Sequence, residues 1–96
     1  MVNIAGNEIR RDGDIIGYID GNYIRDNENN RLGYFDENQN YVYDQNANPI
    51  AYIDGGYLYS YASRSSYVDL DKINAGISGG VLPEIGKCAI YEFLGE

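Results

Sequence analysis

One four-residue pattern, small residue, tyrosine, bulky apolar residue, aspartate, occurs four times. The copies are Gly17-Tyr18-Ile19-Asp20, Gly33-Tyr34-Phe35-Asp36, Ala51-Tyr52-Ile53-Asp54 and Ser66-Tyr67-Val68-Asp69, spaced 15 to 18 residues apart. A period this short accommodates a single β-hairpin with its turns. One hairpin cannot bury its own apolar face, so the copies must pack on one another or on copies in other subunits.

A second strand precedes each tyrosine-bearing one. Glu8-Ile9-Arg10-Arg11 aligns with Tyr23-Ile24-Arg25-Asp26, Tyr41-Val42-Tyr43-Asp44 and Tyr57-Leu58-Tyr59-Ser60. The chain then divides into four units, at about residues 6–20, 21–36, 37–54 and 55–69. Links such as Asp12-Gly13, Asp20-Gly21-Asn22 and Asp54-Gly55-Gly56 carry residues that tolerate positive φ and close tight hairpins. Pro49 falls at a strand start, where its missing N–H does least harm. Residues 1–71 are thus expected to form a four-unit hairpin repeat, and 72–96 a C-terminal loop and a closing strand or clasp. Within that tail, Ile73 to Gly80 reads as a loop or short helical turn, and Cys88 to Leu94 as the β-prone closing segment.

Alternation along a strand sorts these residues into faces. Ile9, Ile24, Val42 and Leu58 hold the same place in four units and form one core-facing row. In the tyrosine-bearing strands Tyr18, Tyr34, Tyr52 and Tyr67 share one face, and Ile19, Phe35, Ile53 and Val68 share the other with the small residues. The small position marks a place where another backbone or an aromatic ring comes close. Each closing aspartate is expected to accept hydrogen bonds from backbone N–H groups of its turn.

Composition removes several function classes. The net charge of −8 repels the phosphates of duplex nucleic acid. The absence of histidine leaves acid–base chemistry to carboxylates, and a lone cysteine, Cys88, forms neither an internal disulfide nor a zinc site. The oxygen-rich stretches from Asp26 and from Asp36 lack the glycine and glutamate spacing of an EF-hand loop. No metal, no cofactor and no catalytic residue is therefore expected. The N-terminal residues carry neither a basic nor an apolar run, and no apolar stretch approaches a membrane span, so a cytoplasmic protein without membrane partners is expected.

The hairpins Gly-Tyr-Ile-Asp-Gly-Asn-Tyr-Ile-Arg-Asp (17–26) and Pro49 to Tyr59 make residues 6–69 resemble the four-fold β-flower domain family of bacteria. That resemblance implies an all-β subunit in a fourfold-symmetric assembly and supplies no catalytic residues. The sequence departs from it in having no tryptophan, and the tail from residue 72 has no counterpart. The expected fold class is accordingly all-β, a small domain of tandem hairpin repeats assembling as a symmetric homo-oligomer, with a tetramer foremost.

The reverse face of the first strands carries the one constellation with chemical promise. Arg10, Tyr23, Arg25, Tyr43 and Tyr59, with Arg64 in the following loop, are the candidate ligand-binding residues. Tyrosine stacks on bases and arginine grips phosphate. The corresponding function is a non-enzymatic trap for a small anionic, nucleotide-type signalling molecule, similar in outline to small phage-encoded sponges. The alternatives are a structural or protein-interaction scaffold and, with less behind it, a cell-wall or carbohydrate-binding repeat. A plainer reading of the same residues also stands: tyrosines favour half-buried sheet surfaces, and the arginines pair with nearby carboxylates.

Overall fold

The turn-forming links do close hairpins, one after another. A computed structural model describes residues 1–95. In chain order the elements are β1 (Val2–Ala5), β2 (Glu8–Arg11), β3 (Asp14–Asp20), β4 (Tyr23–Asp26), β5 (Arg31–Asp36), β6 (Tyr41–Asp44), β7 (Pro49–Asp54), β8 (Tyr57–Ser60), β9 (Ser66–Asp69), α1 (Leu70–Gly76), β10 (Ile77–Gly79) and α2 (Glu84–Leu94). The strands from β1 to β9 form an antiparallel meander, and β10 adds to the free side of β1 in parallel. The protein is therefore mostly β, with two short helices among the described residues. The Gly55-Gly56 turn shows the backbone requirement plainly. Both residues sit at positive φ, +59° and +91°, which glycine alone adopts without strain.

The sheet cannot be flat. Ten strands at about 4.8 Å spacing would span roughly 43 Å, yet the longest extent of the molecule is 34 Å. Moreover, the edge strands β9 and β10 are joined by α1 alone, whose seven residues advance the chain about 10 Å. The sheet must curl until its two edges approach. Bulges supply much of the bending. In each of the pairs β2–β3, β4–β5, β6–β7 and β8–β9 the register slips by one residue, which leaves Ile16, Leu32, Ile50 and Tyr67 without a partner. A bulge bends its strand and sharpens the local twist, and one per hairpin adds up to a trough.

The core lies inside that trough. Ile9, Ile24, Val42 and Leu58 are all fully buried, as their equivalent places in the repeat predict. They join Val2 and Ile4 of β1, Ile73 and Ile77, and Ile85, Cys88, Ala89 and Ile90 of α2. The small residues make room for α2. A Cβ at Gly33 would collide with the Phe93 ring and the Tyr43 carbonyl, and one at Gly17 would lie 2.8 Å from Leu94 Cδ1. The close approach expected at these positions is thus made by side chains of the helix and by the neighbouring backbone.

Two expectations are corrected. The segment from Cys88 to Leu94 is not a closing strand or an intersubunit clasp but the body of α2, packed within its own sheet against β4, β5 and β6. Its β-prone residues yield to helical spacing: Ile85, Cys88 and Ala89 recur at one, four and five residues after Glu84 and share a buried stripe. Pro83 caps its start, Gly95 ends it at φ +75°, and the Arg11 guanidinium donates to the Leu94 carbonyl at 2.7 Å. The sheet is closed off instead by β10, inside the segment expected as loop or helical turn.

The fourth repeat is also displaced, by two residues. Gly17, Gly33 and Ala51 stand opposite Ile9, Ile24 and Val42, but Val68, not Ser66, stands opposite Leu58. Here the valine side chain itself fills the core. Asp69, one place on, is drawn into capping α1: its Oδ1 accepts from the Asp71 N–H at 2.8 Å.

Candidate functional site

Regular antiparallel register puts the tyrosines of both strand types on the face of the sheet opposite the core. Across the ladder Tyr23 pairs with Tyr34, Tyr34 with Tyr43, Tyr41 with Tyr52, and Tyr52 with Tyr59. Neighbouring strands lie about 4.8 Å apart, a spacing that lets phenol rings overlap in offset stacks. The ring centroids of these pairs are 5.3, 5.0, 5.4 and 5.3 Å apart, and all but the first pair are within 22° of parallel. Tyr41 and Tyr43, two residues apart on β6, join the two rows at 6.0 Å. The result is one continuous run of six rings, Tyr23-Tyr34-Tyr43-Tyr41-Tyr52-Tyr59, crossing five strands. Tyr61 meets Tyr41 edge-on at 6.1 Å.

Arginines lie on the first ring of the run and on the side ring Tyr61. The Arg31 guanidinium lies 4.2 Å from the Tyr23 ring centre, and that of Arg64 lies 4.3 Å from Tyr61 and 5.9 Å from Tyr52. The nearby Tyr52 hydroxyl holds the Arg64 guanidinium above its ordinary pKa. The phenol of Tyr43, mid-ladder, is pushed up by its desolvation and by the Asp36 charge, and stays neutral.

The six residues singled out from sequence do not form one patch. Tyr23, Tyr43 and Tyr59 lie on the ladder, with Arg64 over the side ring Tyr61. Arg25 is on the same face opposite Tyr18, but its Nε and Nη2 donate to Asp20 Oδ2 at 3.1 and 2.9 Å, and Nη1 donates to the Asn29 carbonyl at 2.9 Å. Arg10 donates to Glu8 Oε1 and to the Gly13 carbonyl. Two of the three arginines thus spend their donors on carboxylates. Beside Arg25 runs a cleft of about 550 Å³, where Asp20 and Glu28 outweigh its single guanidinium. By contrast, neither Arg31 nor Arg64 has a carboxylate partner among the described residues.

Arg31, Tyr34, Tyr41, Tyr52 and Tyr61 are the residues of this surface that the sequence left aside. The signal for Tyr34 and Tyr52 was the repeat itself; what it lacked was the strand pairing that sets them beside Tyr23, Tyr43, Tyr41 and Tyr59. The closing aspartates divide by task. Asp36 accepts from the Asn38 and Gln39 N–H groups as a turn residue should, whereas Asp20 holds Arg25. The fullest turn duty falls to Asp26 and Asp44, each accepting from two backbone N–H groups, which lowers the pKa of both carboxyls. Cys88 is buried inside the core, and desolvation pushes its thiol up to about 12, far from a reactive thiolate. No helix among the described residues is long and apolar enough to cross a membrane.

No protein-family model, curated protein or solved structure matches the chain.

Proposed function

We propose that the chain is a non-enzymatic binding module that takes a small, ring-bearing anion on its tyrosine face. In its finer form, the ligand is a nucleotide-type signalling molecule that the protein sequesters, working in the cytoplasm as a homo-oligomer, with a tetramer foremost. The observation that carries this reading is the six-ring ladder with Arg31 on its first ring and Arg64 over the side ring Tyr61, neither held by a carboxylate among the described residues. A fold needs an apolar core row, which Ile9, Ile24, Val42 and Leu58 already provide. It does not need a second aromatic row on the opposite face. The absence of histidine and the unreactive Cys88 thiol favour binding over catalysis.

The test is native mass spectrometry of the purified protein for a retained small molecule, followed by calorimetry with nucleotides and cyclic dinucleotides. Retention of a ring-bearing anion, released on mutating Tyr52 or Tyr59 to alanine, is the expected result. A protein that retains nothing and binds none of these compounds would overturn the reading.

One observation favours the scaffold alternative. Tyr57 and Tyr67, at the β8–β9 edge, are the only tyrosines with nearly half their surface exposed, at 46% and 47% among the described residues. If that edge holds a protein partner or a second copy, Tyr57→Ser with Tyr67→Ser lowers the assembly mass read by light scattering. The sugar-gripping alternative has less support, because the inner rings of the ladder already spend their faces on one another.

A further inference from the structure

The ladder ends at Tyr59 for a visible reason. Each inner ring has a neighbour on both sides, but the residue opposite Tyr59 on β9 is Ser66, which is exposed and too short to stack. The Tyr59 ring therefore has no aromatic neighbour on its β9 side, where the next rung would stand.

Arg64 lies on the inner side of this end, over Tyr61 and near Tyr52, and its placement departs from the other repeats. The turns after β4, β6 and β8 each contain one residue in the left-handed region: Asn29 at φ +71°, Ala47 at +66° and Arg64 at +59°. In each, that residue's N–H donates to the carbonyl of the strand's last residue: Asp26, Asp44 or Ser60. The third turn is one residue longer and puts an arginine where asparagine and alanine stand in the others. Left-handed backbone is unfavourable for a long side chain, and strain of this kind gathers at sites with a task. The conformation lays the guanidinium against Tyr61 and beside Tyr52. A guanidinium stacked on a ring keeps its in-plane N–H donors free for a bidentate anion. Because Tyr52 is 5.3 Å from Tyr59 and 5.9 Å from the guanidinium, the cation and the open ring lie no further apart than those distances combined.

We infer that the vacant rung over Ser66 is the seat of the ligand's ring, stacked on Tyr59, and that Arg64 takes its phosphate. The ligand class is a planar heterocycle bearing a phosphate a few bonds away, as in a nucleoside monophosphate. This rests on the tyrosine face being the binding surface and names where on it the ligand sits. It also discards Arg10 and Arg25 as phosphate ligands, since Glu8 and Asp20 already hold them.

The test uses adenosine 5′-monophosphate and adenosine as probes, with calorimetry and tyrosine NMR shifts on the intact protein. Both probes are expected to bind the wild type, the monophosphate more tightly. Arg64→Gln should weaken the monophosphate at least about tenfold and leave adenosine unchanged. Ser66→Tyr, which fills the vacancy with a protein ring, should abolish both. Lys87→Gln removes one positive charge away from the ladder and should change neither. Binding that survives Ser66→Tyr, or a monophosphate indifferent to Arg64→Gln, overturns this seat while the ladder remains the binding face. A wild type that binds neither probe overturns the seat and, if it also retains no other ring-bearing anion, the broader reading with it.

Discussion

Replacing Gly33 with alanine tests the packing of α2 into the trough most directly. The added Cβ has no free volume: it would meet the Phe93 ring on one side and the Tyr43 carbonyl on the other. Alanine restricts the unfolded chain and so gains about 0.4–1 kcal/mol on that account. Forcing a methyl group into a filled site costs about 1–3 kcal/mol, and the upper end applies where backbone must yield as well as a ring. A net loss of about 2 kcal/mol follows, a large part of the roughly 5–15 kcal/mol that holds a domain of this size together. In urea, with a slope near 1–1.5 kcal/mol/M, the midpoint should fall by about 1.5 M at unchanged slope. Gly21→Ala is the matched control, because nothing lies within 4 Å of its Cβ and only the backbone strain of φ +62° is added. Phe93→Ala should relieve part of the Gly33→Ala clash and none of the Gly21→Ala cost, giving a coupling of at least about 0.5 kcal/mol in the first cycle alone. A Gly33→Ala protein within about 0.5 kcal/mol of wild type, or one showing no coupling to Phe93, would refute the seating of the helix on the small residues.

Three further outcomes follow from single side chains. Burial raises the Glu92 carboxyl, whose Oε1 has no partner among the described residues, so its stabilising contribution is present below its ordinary pKa near 4.5 and is lost as pH rises through the folded value; Glu92→Gln should raise the thermal midpoint at pH 7, with the gain vanishing below about pH 4. Asp26 and Asp44 have the opposite sign, their folded pKa values lying below 3.8, so their contribution is lost as pH falls below that value; a double Asp→Asn variant should show a flatter acid limb in a pH-dependent melt. Ala47, exposed and at φ +66°, should gain about 0.5 kcal/mol on replacement by glycine, read as a higher urea midpoint.

The repeat made the core row legible because Ile9, Ile24, Val42 and Leu58 each follow a polar or aromatic residue at the same point of a unit. Period alone could not locate the bulges. A one-residue slip reverses every later side chain, and only pairing decides where the slip falls. The slip in β4–β5 sets Arg31 opposite Arg25, which alternation along the strand does not reveal. The tie on Arg25 is legible in the sequence. A two-residue turn at Gly21-Asn22 fixes Asp20 opposite Tyr23 and Arg25 opposite Tyr18, which brings the Asp20 carboxylate within reach of the guanidinium. The helix α2 had its own marks, Pro83 before it, Gly95 after it, and apolar residues at 85, 88 and 89. They were outweighed by the β preference of Ile90, Tyr91 and Phe93, a preference that packing overrides. Arg64 owes its place to an extra residue in one turn, which no propensity encodes.

Every strand pairing among the described residues except that of β1 with β10 joins neighbours in the chain across a short turn. Hairpins of this kind form within microseconds, and each can nucleate without waiting for the others. The β1–β10 pairing instead joins Val2 to Ile77 and carries nearly the whole entropy of closing the chain on itself. A growing polypeptide would thus hold a half-formed, open ribbon of hairpins until α1 and β10 emerge, with its apolar trough uncovered. The last quarter of the chain acts as a latch, whose pairing closes the longest loop of the fold.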